Sequence, residues 1–154
     1  MTVELAYTLF FQGKVKEAKQ IVKRILEKGK DPKATLLLAW ICFQESELQS
    51  ALEAIEETIN SDAKLFEAWV LRAKILHKMG RPAEALESLD KAYELRQVFE
   101  EYEDYEILIL KARILLEMGN LDLARKEIEK ARKLNPYDEE ILDIEKELGS
   151  GVVK

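Results

Sequence analysis

Three sets of small residues recur along this chain at the same intervals, and that agreement limits the fold more than any other property of the sequence. Alanines stand at Ala6, Ala39, Ala73 and Ala112, a second set at Ala18, Ala51, Ala85 and Ala124, and turn residues at Gly13, Ser46, Gly80 and Gly119. In every set the successive steps are 33, 34 and 39 residues. Apolar sites keep the same register: Leu9, Cys42, Leu76 and Leu115 in one series, Val22, Ile55, Leu89 and Ile128 in another. A period of this size marks stacked supersecondary units, each of which buries its apolar face only against its neighbours.

The unit is clearest in Glu67–Leu95, which predicts two short antiparallel helices. Trp69, Ala73 and Leu76 follow i, i+4, i+7 spacing and form one apolar stripe. Gly80 ends the first helix, where a left-handed residue is needed. Pro82 opens the second helix, since the N–H it lacks would have no intrahelical partner at that position. Ala85, Leu89 and Ala92 then form the facing stripe. Two helices joined by so short a turn cross closely only if each is nearly bare at the crossing, which explains alanine at both sites.

The order of a large aromatic, a small residue four on, a large residue three further, then Gly, Ala, an apolar residue, Ala and finally Pro resembles the tetratricopeptide repeat (TPR) pattern. Trp69, Ala73, Leu76, Gly80, Ala85, Leu89 and Ala92 match it in the third unit; Ala112, Leu115, Gly119, Ala124, Ile128, Ala131 and Pro136 match it in the fourth. Thr35 and Leu108 stand where the aromatic usually is, Ser46 replaces the glycine, and Ile25 and Thr58 replace the later alanine. The resemblance covers about Thr2 to Leu148. It implies an all-α fold, a right-handed superhelical solenoid of antiparallel helix pairs. One TPR-like domain is expected over 1–148, with repeats at about 1–31, 32–65, 66–104 and 105–138, a capping helix at 139–148 carrying Ile141, Ile144 and Leu148, and a flexible tail at 149–154. The third unit is five residues longer than the second, and the excess in RQVFEEYEDY, which holds no Gly, Pro or Ser, predicts continued helix.

Several function classes are disfavoured. The chain has one histidine, His77, so no two-histidine metal site exists, and neither a GxxxxGK[ST] phosphate loop nor a GxSxG elbow occurs. The paired carboxylates Glu56/Glu57 and Glu139/Glu140 fall on polar faces, whereas a catalytic pair needs a pocket that pushes two pKa values apart. No catalytic residue and no cofactor is therefore expected. A net charge of −6 without basic-aromatic motifs argues against nucleic acid. No apolar run approaches the roughly 20 residues that span a membrane, and MTVELAY lacks a secretory pattern, so a cytoplasmic location is expected. Cys42, the single cysteine, falls on the inward stripe as a small hydrophobe.

What remains is surface. Residues 1–33 hold eight basic and four acidic residues, with Lys16, Lys19 and Lys23 on one helix face, which a solvated face explains without a partner. Phe10 and Phe11 near the N-terminal end either line a groove or cover a contact with another chain. LLLAWICF, Leu36 to Phe43, is too apolar for one face: Leu38, Ala39 and Cys42 serve the inward stripe, and Leu36, Trp40 and Phe43 form an adjacent one. Stacked hairpins curve with their first helices on the concave side, so equivalent positions form a grid: Val3, Tyr7 and Phe10; Leu36, Trp40 and Phe43; Val70, Lys74 and His77; Ile109, Arg113 and Leu116. The first half is greasy and the second basic. In the TPR family this surface commonly binds a peptide or helix of a partner, which is what the resemblance implies here; the graded grid adds the expectation of a non-catalytic adaptor for an apolar or amphipathic segment with an acidic portion. The alternative is a self-assembling structural protein, such as a homodimer. The family's chaperone-tail clamp carries lysine and asparagine on the first helices; Val3/Tyr7, Leu36/Trp40 and Val70/Lys74 stand there instead, which argues against chaperone tails.

Overall fold

The structure, a computed structural model, describes the backbone of residues 2–95 and 102–153 and the side chains of residues 2–95 and 105–149. Among the described residues every regular element is helical: α1 Val3–Phe11, α2 Val15–Glu27, α3 Pro32–Gln44, α4 Leu48–Ser61, α5 Phe66–Lys78, α6 Pro82–Leu95, α7 Tyr102–Glu117, α8 Leu121–Leu134 and α9 Glu139–Val153. They gather into two compact units, Met1–Arg81 and Pro82–Lys154. The physical reason lies in the repeat itself: each hairpin buries its stripe against neighbours only, so a stacked chain has several local cores and no common one.

In the first unit Ala6, Ala18 and Val22 pack with Leu37 and Ile41, so that one face of α3 closes the α1–α2 hairpin. The other face of α3 packs Leu36, Ala39 and Cys42 against Ala51 and Ile55 of α4 and Leu71 and Ile75 of α5. In the second unit Ala112 and Leu115 of α7 meet Ala124, Ile128 and Ala131 of α8 and Ile141, Ile144 and Leu148 of α9. Ala6, Ala18, Ala39, Ala51, Ala112 and Ala124 are all fully buried, as close helix crossing requires.

All four hairpin turns share one hydrogen-bond pattern. The N–H groups of Gly13, Ser46, Gly80 and Gly119 donate to Phe10, Phe43, His77 and Leu116, and those of Lys14, Glu47, Arg81 and Asn120 donate to Leu9, Cys42, Leu76 and Leu115. This is the Schellman arrangement, which satisfies the orphan carbonyls of a helix end and needs a left-handed residue. The three glycines have φ of 82°, 75° and 80°, and Ser46 adopts 61° in their place. The departure from glycine at Ser46 thus leaves the turn unchanged and places a Cβ where it is disfavoured.

Two other departures answer each other. Thr35, in place of the usual aromatic, and Thr58, in place of the later alanine, are both buried, and the Thr58 hydroxyl donates to Thr35 Oγ1 at 2.8 Å. In the next hairpin Trp69 keeps the aromatic and its indole N–H donates to the Ala63 carbonyl at 2.8 Å.

α9 runs on to Val153, so residues 149–153, placed by the sequence in a tail, are helical. Gly149 stays right-handed there, and a helical glycine costs only about 1 kcal/mol relative to alanine, so nothing in the segment forces a stop. α9 is also the counterpart of a first helix whose crossing alanine has become the exposed Lys146. At the other end, the α3 positions Leu37 and Ile41 correspond to Glu4 and Thr8 in α1, both exposed. At Glu4, Thr8 and Lys146, therefore, a polar residue stands where an inner repeat is apolar. The extra residues of the third unit fall partly at 96–101, outside the described residues; the described part, α7, is helical for 16 residues against 13 in α5.

Two outcomes check this account by denaturant unfolding. Ala112→Leu overpacks the α7–α8 crossing and destabilises the protein by about 1–3 kcal/mol. Ser46→Gly relieves the left-handed position and stabilises it by about 0.5–1 kcal/mol.

Candidate binding surface

The sequence grid separates by depth. Val3, Leu36, Val70 and Ile109, its first row, are all buried. Leu36 sits in the core with Ala39 and Cys42, whereas Leu38, expected inside, is half-buried against two cores. Val3, Leu36 and Ile109 pack in the cores of their helices and Val70 is buried as well, so this row presents little surface of its own.

The second and third rows lie at the surface. In the first unit Tyr7, Phe10, Trp40, Phe43, Lys74 and His77 are all partly exposed. Tyr7 is fixed by its hydroxyl, which donates to the Lys33 carbonyl at the start of α3 at 3.0 Å. Phe11 stands out at 78% exposure and continues the aromatic run, 5.5 Å from Phe10 and 6.4 Å from Tyr7 between ring centroids. On α3, Trp40 and Phe43 meet edge to face at 6.2 Å. Lys74 Nζ lies 5.3 Å from the Trp40 centroid and Lys78 Nζ 5.1 Å from that of Phe43. Each contact contributes about 0.5–1 kcal/mol at an exposed site. Successive first helices thus give an aromatic row overhung by ammonium groups. Phe11 and Lys78 were absent from the sequence grid because both sit one residue beyond the i, i+4, i+7 ladder.

In the second unit the Nε of Arg113 donates to Glu140 Oε1 on α9 at 2.7 Å, an ion pair that any incoming carboxylate would have to share. Leu116 is half-buried against the core of that unit. Lys111 bridges Asp90 on α6 at 2.7 Å and Glu127 on α8 at 3.9 Å, again a structural contact. The N-terminal lysine face also carries one: Lys19 Nζ pairs with Glu45 at 3.2 Å. Among the described residues there is no cluster of His, Cys, Asp or Glu suited to a metal ion, and no helix long and apolar enough to cross a membrane.

Comparison with known proteins bears on this arrangement. Residues 12–92 match the family model described as anaphase-promoting complex, cyclosome, subunit 3, and residues 64–136 match the tetratricopeptide repeat model. The chain is a tetratricopeptide repeat protein. No curated protein sequence matches it. Among solved structures, MamA from residue 41 onward of Desulfovibrio magneticus RS-1 superposes with a TM-score of 0.81 at 16% identity, over 97% of this chain and 81% of that one. YrrB, described as a TPR protein with an unusual peptide-binding site, gives 0.75 at 16% identity, over 97% and 84%. The first TPR of Spaghetti (RPAP3), bound to the HSP90 peptide SRMEEVD, gives 0.71 at 13% identity, over 80% and 94%. At these identities the likeness establishes the TPR fold.

Tyr7 supplies a pH test. Burial first, then the nearby Glu67 and Asp31 carboxylates, push its phenol up to about 12. An unfolded tyrosine titrates near 10, so the folded state holds the proton more firmly. The resulting stabilisation is complete below about pH 10 and lost as pH rises from there to about 12. Ultraviolet titration of the folded protein shows a step near pH 12 that Tyr7→Phe deletes, and the variant loses less stability over the same interval.

Proposed function

We propose that this TPR protein is a non-catalytic adaptor whose first unit takes an apolar or amphipathic segment of a partner protein, with acidic residues flanking the apolar anchors. The observation that carries this reading is the row Tyr7, Phe10, Phe11, Trp40 and Phe43, presented on α1 and α3 with Lys74 and Lys78 beside it. Partly exposed aromatics on rigid helices offer large contact area at low entropic cost, and they dominate the energetics of such interfaces. Lys74 and Lys78 supply the charge for the acidic portion, in place of the Lys74 and Arg113 pair suggested by the grid, since Arg113 is engaged by Glu140. The peptide-bound state of one structural neighbour and the peptide-binding site of another support the general class. The residues of the chaperone-tail clamp are replaced here, so the acidic group is proposed to be flanking side chains in place of a terminal carboxylate. A cytoplasmic location belongs to the same proposal.

The rival reading, self-association, is favoured by Phe11 and by Leu5, which is 44% exposed. A pull-down with the whole chain, followed by light scattering on the purified protein, separates the two. With a captured partner, Trp40→Ala weakens binding by about 2 kcal/mol or more, measured by calorimetry. Lys74→Glu with Lys78→Glu slows association and flattens its salt dependence, with a smaller effect on dissociation. A monomeric protein whose partner affinity is untouched by Trp40→Ala would remove this surface from consideration. A dimer that Trp40→Ala or Phe11→Ala converts to monomer would establish self-association instead.

A further inference from the structure

The second and third hairpins share a frame, and what fills it differs. α2 ends at Glu27 and α3 begins at Pro32; α4 ends at Ser61 and α5 begins at Phe66, so the two connections are equal in length and every position of one has a counterpart 34 residues on. At the third hairpin that frame holds Trp69, which packs against the core between α3, α4 and α5 and donates its indole N–H to the connecting loop. At the second hairpin the counterpart is Thr35. The volume an indole would take is left as a cleft of about 220 Å³, lined by Leu26 of α2, Gly29, Lys30 and Asp31 of the loop, Thr35 of α3 and Glu57 and Ser61 of α4. For scale, an apolar cavity of about 150 Å³ accommodates a benzene ring. Thr35, which lines the cleft, is held by the hydrogen bond from the Thr58 hydroxyl. Its loop wall, Gly29, Lys30 and Asp31, is shared with a larger cleft of about 640 Å³ that also takes in Arg24, Ile25 and Lys28.

We propose that this cleft is a binding site for the indole side chain of a tryptophan in a partner protein, seated where the next hairpin seats its own Trp69. Leu26 supplies an apolar wall, and Glu57 and Ser61 offer acceptors for the indole N–H, the role that the Ala63 carbonyl plays for Trp69. A peptide is the source, because the adjoining cleft gives room for the residues on either side of the tryptophan. Glu57 faces the indole cleft itself, while along the adjoining cleft Arg24, Lys28 and Lys30 outnumber Glu27 and Asp31, so acidic flanking residues fit that cleft. This site is built from α2, the α2–α3 loop, Thr35 at the start of α3 and α4, and it shares no residue with the aromatic row on α1 and α3, so the two are tested separately.

The test is amide NMR on the whole chain, titrated with the capped tripeptides Glu-Trp-Glu and Glu-Ala-Glu and with N-acetyltryptophanamide. The expected result is saturable shifts confined to Gly29, Lys30, Thr35 and Ser61 with Glu-Trp-Glu, at least tenfold weaker response to the amide, and none with Glu-Ala-Glu. Thr35→Trp with Thr58→Ala reproduces the third hairpin; it raises Tm by a few degrees and abolishes the response. Ser61→Phe, which reaches the cleft from α4 and leaves Thr35 and Thr58 in place, also abolishes it while circular dichroism stays unchanged. Absence of shifts with Glu-Trp-Glu, equal shifts with Glu-Ala-Glu, or a response that survives in either folded variant overturns the site. Equal affinity for the tripeptide and the amide overturns the peptide as its source.

Discussion

Everything in this molecule depends on helices approaching closely enough to leave no room for a side chain at the point of crossing. The buried alanines of α1 and α2, α3 and α4, and α7 and α8 make that approach, and the left-handed turn residue of each hairpin sets the angle from which the second helix returns. A methyl group is all that separates the backbones there, so the apolar side chains above and below the crossing interdigitate at interior density. With the hairpins set, the outward rows on the first helices are placed as a by-product, and the aromatic surface on α1 and α3 inherits its rigidity from packing that it does not itself perform.

The alanines, the turn residues and the helix starts at Pro32 and Pro82 were legible in the sequence because each is demanded by backbone geometry, which allows few residue types. Depth was less legible. Leu36 and Leu38 sit two residues apart in an almost wholly apolar helix, where periodicity has no polar face to phase against, and the reading exchanged them. Leu37 and Ile41, fully buried against the first hairpin, escaped the reading for the same reason. The partnership of Thr35 and Thr58 was invisible because it is a relation across 23 residues between two departures from a pattern. The contact of Arg113 with Glu140 was equally invisible, since its partner lies on the next helix but one, beyond any spacing rule within α7.

The charges divide in the same way. Lys19, Lys111 and Arg113 each join one helix to another, and Arg72 on α5 reaches Glu56 on α4 at 2.6 Å while its guanidinium lies over Trp69. Cations that tie helices together hold register and contribute modestly, since exposed pairs are weak. Lys74 and Lys78 in addition rest their ammonium groups on ring faces. If the proposed surface takes a partner, charge would select before shape does.

The connections also bear on how the protein is made. The described connections between consecutive helices hold three or four residues each, so little loop entropy opposes their closure. A topology so local folds without long-range search, on the microsecond to millisecond scale typical of helical arrays. A hairpin such as α1–α2 holds its own turn and both halves of its alanine contact. It can therefore form while the residues that will cover it are still being added by the ribosome, each new helix docking on a surface already waiting.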